Sequence, residues 1–205
     1  MQEVKDRIKS KADELFYKYG IKSVTMDEIA SQLGISKKTI YLSYKDKDEL
    51  VDDVFSEVIC KNEHHCKNLR VNAKDAIHEG FLAIQMMEEI YGNMNPNILF
   101  DLERNHLVTF KKFQQHKFKF LFQSLMDNLK QGIEEGLYRN DFNLEVAIKQ
   151  RLENMLMPFS PELFPKNKFN LNELQRQFVE FFLFSMATTK GYKLIIKYKE
   201  QQSKK

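Results

Sequence analysis

Residues 25–50 read TMDEIASQLGISKKTIYLSYKDKDEL, and this stretch decides the fold. Thr25 followed by Glu28 fits a capping box, in which the Thr hydroxyl accepts an orphan N–H and the Glu reaches back to the cap. Ile29, Ala30 and Leu33 then recur at helical spacing. Gly34 sits where the chain must turn sharply, and Ile35 can plug the angle between two helices. Ser36 is placed to cap a second helix over residues 37–44. Ile40 and Tyr44, four apart, are its inward positions, which leaves Lys37, Lys38, Thr39 and Tyr41 outward. Asp46 and Glu49 repeat the capping pattern and start a third helix. Helix, Gly turn and polar-faced helix form the arrangement of a DNA-binding helix-turn-helix.

At these residues the chain resembles the TetR family of bacterial transcriptional regulators. The family's signature runs as Thr, three residues, Ile-Ala, a Gly-Ile/Val-Ser turn, Thr-Leu/Ile-Tyr, an aromatic, then Lys before an acidic pair and Leu. Here it is carried by Thr25, Ile29-Ala30, Gly34-Ile35-Ser36, Thr39-Ile40-Tyr41, Tyr44 and Lys47-Asp48-Glu49-Leu50. The likeness covers about the first quarter of the chain. Two departures stand out: Lys38 occupies a position where a small residue is usual, and Leu42 and Ser43 replace a pair that often carries His, Trp or Tyr.

Working outward, 205 residues allow a small domain plus a larger one, with enough chain to bury a substantial core. With 7 Gly, 4 Pro and no Trp, the composition argues against a turn-rich β protein. The net charge of +3 is too small for a polycation, so any nucleic-acid footprint must be local. Lys37, Lys38, Lys45 and Lys47 against Asp46 form such a local excess, although a lysine-rich solvated surface would look the same without the surrounding motif. Two Cys give no disulfide framework and fit a reducing cytoplasm. The charged N-terminus shows no secretory signal, and no run approaches a membrane span.

Helical periodicity continues along the whole chain, with no strand and no repeat. Helices are expected over residues 3–18, 47–68, 72–91, 96–104, 109–135, 144–157 and 171–198, beside the two of the opening motif. In the first, Val4, Ile8, Ala12, Leu15, Phe16 and Tyr19 make the inward face; in the last, Leu174, Phe178, Phe181, Phe182 and Ser185 lie on one face. The tail, residues 199–205, is expected to fray. The fold class is therefore all-α, about nine helices. The division is a helix-turn-helix domain over residues 1–47 and a helical effector-binding and dimerisation domain over 48–205.

Other constellations carry less. Cys60 and His64, four apart on one helix face, could hold a soft metal, but two ligands make a weak site and surface histidines beside a half-buried Cys explain them as well. Glu103-x-x-His106 and Asp75-x-x-His78 imitate half of a di-iron carboxylate set, which needs two Glu-x-x-His steps and two further Glu. No phosphate loop, dinucleotide turn or paired-His motif is present, so no cofactor and no enzymatic activity are expected.

The resemblance implies a homodimer joined through its last two helices, here residues 144–157 and 171–198. It also implies a pocket for an unidentified small-molecule effector among the central helices, where Met87, Phe100, Phe110, Phe122, Met126 and Met155 are candidates, although such residues mostly serve as core. The expected function is a cytoplasmic, ligand-responsive regulator, a repressor of a pseudo-palindromic double-stranded DNA operator. Its DNA contacts would come from Thr25, Ser36, Lys37, Lys38, Thr39, Tyr41 and Lys47. A di-iron bundle enzyme and a helical interaction module without DNA binding are the competing readings.

Overall fold

In the computed structural model, which describes residues 2–92, 94–165 and 167–202, helix α1 (Gln2–Tyr19) buries Ile8, Ala12, Leu15 and Phe16 at three- and four-residue steps. Tyr19, expected on that face, is exposed: it is the last residue of the helix, and Gly20 beyond it turns the chain with a positive φ. Helices α2 (Met26–Leu33) and α3 (Lys37–Ser43) follow, and then α4 (Lys47–Asn72). The rest is helical too: α5 (Ala76–Tyr91), α6 (Asn97–Asn105), α7 (Leu107–Gln115), α8 (Phe122–Glu134), α9 (Leu144–Asn154), α10 (Leu171–Met186) and α11 (Thr189–Gln202). Among the described residues there is no strand, only an isolated antiparallel bridge between Tyr138 and Ala187. The all-α class is as expected, with eleven α-helices among the described residues rather than about nine.

The chain divides into two compact units. The first comprises Met1–Asn62 and Asn93–Gln115. Its core joins the α1 stripe to Ile29, Ala30, Ile40, Tyr44, Leu50, Val51 and Val54, and to Ile98 and Leu102 of α6. The second comprises Glu63–Gly92 and His116–Lys205. Its core is built from Ile77, Phe81 and Ile84 of α5, Leu129 of α8, Ile148 and Leu152 of α9, Val179 and Leu183 of α10, and Ile195 and Tyr198 of α11.

Several helices differ in extent or regularity from the sequence expectation. The helix expected to begin at residue 72 begins at Ala76, because Asp75 is its N-cap and accepts the His78 N–H at 2.8 Å. The helix expected over 109–135 contains a π turn, His116–Leu121, which places His116 and Lys117 both inward and leaves Phe118 partly exposed. The helix expected to reach residue 157 stops at Asn154, and Met157–Phe159 forms a 3₁₀ turn around Pro158. Finally, residues 171–198 are two helices. The Arg139 N–H donates to Met186 O (2.8 Å) and the Thr188 N–H to Leu137 O (2.9 Å), so pairing with residues 137–139 pulls the backbone out of the helix. Thr188 then caps α11 by accepting the Gly191 N–H.

The residues read as one face of α10 divide between core and surface. Leu174, Val179, Leu183 and Met186 are buried, whereas Phe181 is 64% exposed and Ser185 is exposed. Both stripes of α10 are apolar, so periodicity alone could not choose between them. Lys199, Glu200, Gln201 and Gln202 of the tail are helical, while Ser203, Lys204 and Lys205 lie outside the described residues.

The second unit turns on Tyr138, which is buried and donates to Ala76 O at 3.3 Å. Gly132 makes room for it: a Cβ there would stand 2.1 Å from the ring. Gly132→Ala is expected to destabilise the protein by about 1–3 kcal/mol through overpacking, read as a lower urea midpoint in near-ultraviolet circular dichroism.

Candidate nucleic-acid interface

The helix-turn-helix is assembled from local caps. Thr25 accepts the Glu28 N–H at 3.1 Å and starts α2. Gly34 follows α2 with φ 64°, a left-handed conformation that glycine adopts without steric cost, and the Ile35 N–H closes on Ala30 O at 3.0 Å. Ser36 then accepts the Thr39 N–H at 3.1 Å, and the two hydroxyls share a hydrogen bond of 2.8 Å.

Helix α3 is held from below. Ile40 and Tyr44 are buried, and the Tyr44 hydroxyl donates to Asp53 of α4 at 2.7 Å. Burial and the Asp53 carboxylate both push the Tyr44 phenol up, so it stays protonated. The Lys5 ammonium of α1 stands 4.7 Å from the centre of the same ring. Lys9 of α1 bridges Glu57 at 2.7 Å and Asp53 at 3.6 Å, tying α1 to α4.

The outer face of α3 carries Lys37, Lys38, Tyr41 and Leu42. Tyr41 is 45% and Leu42 76% exposed, so two large side chains sit outward without apolar cover. Lys37 is not a free charge: its ammonium lies 2.6 Å from Asp27 of α2, and that hydrogen bond raises its pKa. Lys38 is exposed and has no ion pair among the described residues. Lys47 opens α4 and is half-buried; its Nζ donates to Ile21 O at 2.6 Å, and burial lowers its pKa. It clasps the α1–α2 loop. Asp101 of α6 holds the same loop by accepting the Lys22 N–H at 2.9 Å.

All seven residues expected at DNA therefore lie in the first unit, with Lys38 and Tyr41 outward, Thr25, Ser36 and Thr39 engaged at caps, and Lys37 and Lys47 engaged with Asp27 and Ile21. The sequence reading missed Asp53 and Asp101. Their partners are distant in the chain, and no local pattern marks them.

The effector candidates divide between the units. Met87 is buried in the second core, with Phe122, Met126 and Met155 packed against it. Phe110 packs against the first core, and Phe100 is 56% exposed beside Arg104. The metal-like steps have other work. Asp75 caps α5 and accepts from the Tyr198 hydroxyl at 2.6 Å, while His106 closes α6 and pairs with Asp48. Cys60, His64 and His65 are exposed along α4, and burial pushes the Cys66 thiol up to about 11.

A three-helix frame with an outward cationic and aromatic row on its second turn helix is that of a helix-turn-helix transcriptional regulator. Residues 8–54 match the family model described as bacterial regulatory proteins, tetR family. The HTH-type transcriptional regulator YhgD of Bacillus subtilis is 24% identical over 136 residues, which is 62% of this chain and 65% of that protein. The chain thus spans just under two thirds of this relative's length. A TetR-family regulator from Agrobacterium tumefaciens superposes with a TM-score of 0.74 at 16% identity, over 91% of this chain and 99% of that one. A transcriptional regulator from Saccharomonospora viridis in complex with choline gives 0.76 at 14% identity, over 92% and 100%. Residues 8–54 thus carry the N-terminal region that the tetR family model describes, the whole chain shares the fold of solved regulators of that family, and the relatives it matches are named as transcriptional regulators.

Tyr44→Phe is expected to lower unfolding stability by about 1 kcal/mol, because the part-buried hydrogen bond to Asp53 is lost; urea denaturation measures the loss.

Proposed function

We propose that the chain is a repressor that binds a pseudo-palindromic operator as a homodimer and releases it when a small-molecule effector binds. The observation that carries this reading is the outward row of α3, Lys38, Tyr41 and Leu42, mounted on a backed and capped frame. In the major groove Lys38 reaches a base edge or phosphate, Tyr41 a phosphate, and Leu42 or Tyr41 a thymine methyl. Thr25, Ser36, Lys37 and Thr39 lie around this row and add phosphate contacts. Lys47 acts mainly by positioning the α1–α2 loop. Twofold symmetry would set two α3 helices about 34–36 Å apart, or a multiple of that.

Residues 1–47 take the DNA task and residues 48–205 the effector and dimer tasks. The dimer contact is assigned to segments 144–157 and 171–198. Val146 of α9 and Phe181 of α10, both largely exposed, are the apolar side chains that such a contact would cover. Choline bound to the Saccharomonospora viridis regulator supports an effector site in a body of this fold. Met87, Phe122, Met126 and Met155 are the apolar candidates for that site in the second unit, with Phe100 and Phe110 in the first. The effector releases DNA only to the extent that it prefers the DNA-incompetent conformation. Among the described residues no helix is long and apolar enough to cross a membrane, which fits the proposed cytoplasmic location.

Fluorescence anisotropy with a fragment of the upstream region of the protein's own gene tests the reading. Tight binding at low salt is expected, falling steeply as salt rises. Lys38→Ala should weaken binding and, if Lys38 meets a phosphate, reduce the salt slope by about 1. Tyr41→Ala should weaken binding without changing the fold. A protein that binds no promoter fragment at low salt is a helical interaction module instead, and Lys38 and Tyr41 variants that bind like the wild type would remove the α3 row from the DNA contact.

A further inference from the structure

Helix α3 opens with two lysines that stand in different electrostatic settings. Lys38 is exposed and has no ion pair among the described residues. Lys37 is held by a carboxylate from another helix: its Nζ lies 2.6 Å from Asp27 Oδ2 of α2. Asp27 is exposed and stands in the first turn of α2, but the cap there is made by Thr25, which accepts the Glu28 N–H at 3.1 Å. The Asp27 carboxylate is therefore free of capping duty and serves the neighbouring helix instead. Its hydrogen bond and charge raise the Lys37 pKa, and Tyr41 of the outward row adds to this more weakly, so the pair lies beside that row.

The side chains of Lys37 and Asp27 are 66% and 56% exposed. An ion pair that open to solvent adds little to stability. What it changes is the charge that this surface offers, since one of the two lysines opening α3 is neutralised. A phosphate that takes the Lys37 ammonium must first displace Asp27. The displaced carboxylate is then left uncovered on a surface that meets DNA. Breaking an exposed pair lowers binding by a factor of about 1.5–5 in each protomer. The uncovered carboxylate also draws back a cation, which offsets the counter-ion that the phosphate releases. Lys38, without such a partner, meets phosphate or base with no exchange.

We propose that Asp27 is a positioning residue that competes with DNA phosphate for the Lys37 ammonium, and so holds down both the affinity and the salt dependence of DNA binding. It acts through Lys37 and needs no contact with DNA of its own. Lys38 is available to DNA at once, whereas Lys37 is released only by exchange. More of the total affinity then falls to the side chains that read base edges. The proposal deepens the reading of α3 as the DNA-facing helix, and it rests on that reading.

Fluorescence anisotropy on the full chain tests it, with the upstream fragment of the protein's own gene and a random-sequence fragment, from low to high salt. Asp27→Asn should tighten binding of both fragments at low salt by about 2–25-fold for a dimer, in which the pair is broken twice. It should also steepen the salt slope by about 1 per protomer. Asp27→Glu, which keeps a carboxylate for Lys37, should bind like the wild type. Asp27→Asn combined with Lys37→Ala should bind like Lys37→Ala alone, because no ammonium is left to release. A damaged fold cannot tighten binding, so the expected sign separates this role from a merely structural one. Unchanged or weaker binding by Asp27→Asn overturns the proposal, the weaker case making Asp27 a direct acceptor for a base amino group. So does a gain that survives Lys37→Ala, which would assign the effect to the field of the carboxylate itself. Wild-type protein that binds neither fragment removes the DNA-facing reading of α3 and this proposal with it, so the two failures are distinguishable.

Discussion

The buried ring of Tyr44, with its hydroxyl on Asp53, is the constraint on which the DNA-facing surface depends. Helix α3 has seven residues, far too few to hold its shape alone in water. Its orientation comes from Ile40 and Tyr44 beneath it and from the Ser36 cap at its start. With those three points fixed, the opposite face can carry Lys38, Tyr41 and Leu42 into solvent without loosening the frame. Lys5 over the ring and Lys9 between Asp53 and Glu57 extend the same support to α1. The exposed ion pairs matter less for stability than for register, since solvent screens them.

The parts of this architecture that were legible in the sequence are those fixed by near neighbours. Thr25, Gly34 and Ser36 act within four residues of themselves, so their caps and turn could be read directly. Ile40 and Tyr44 were legible as an inward pair because they stand four apart on a mostly polar helix, in which Leu42 is an apolar residue left outward. The clasp on the α1–α2 loop was not legible, because Lys47 reaches Ile21 and Asp101 reaches Lys22 across long stretches of chain. Lys47 also shows why a motif position does not assign a role by itself. It fits the phosphate-contact pattern, yet its ammonium already serves a backbone carbonyl.

The second unit was harder to read for a different reason. Its helices are apolar on more than one stripe, so hydrophobic period marks a helix but not its inward face. On α10 the face that holds Leu174 and Phe181 has the first buried and the second exposed. The break at residues 187–188 has no Pro or Gly to announce it and comes from pairing with residues 137–139, a tertiary cause. Asp75 and His78, read as half of a metal set, are a cap and the residue it caps. Acidic residues at that spacing are as natural to a helix start as to a ligand pair.

The π turn at His116–Leu121 has a consequence for comparing this chain with its relatives. A π turn holds one residue more than the α-helical turn it interrupts, so it amounts to a single-residue insertion absorbed inside a helix. A relative without it would keep the same ends for this helical stretch with one residue fewer. Matching the two chains residue for residue would then be wrong on one side of the turn by one position. On a helix that is a rotation of about 100°, enough to exchange a core position for a surface one. Equivalences drawn through this stretch need a gap within 116–121, and the same six residues are where the chain can best tolerate the loss of one.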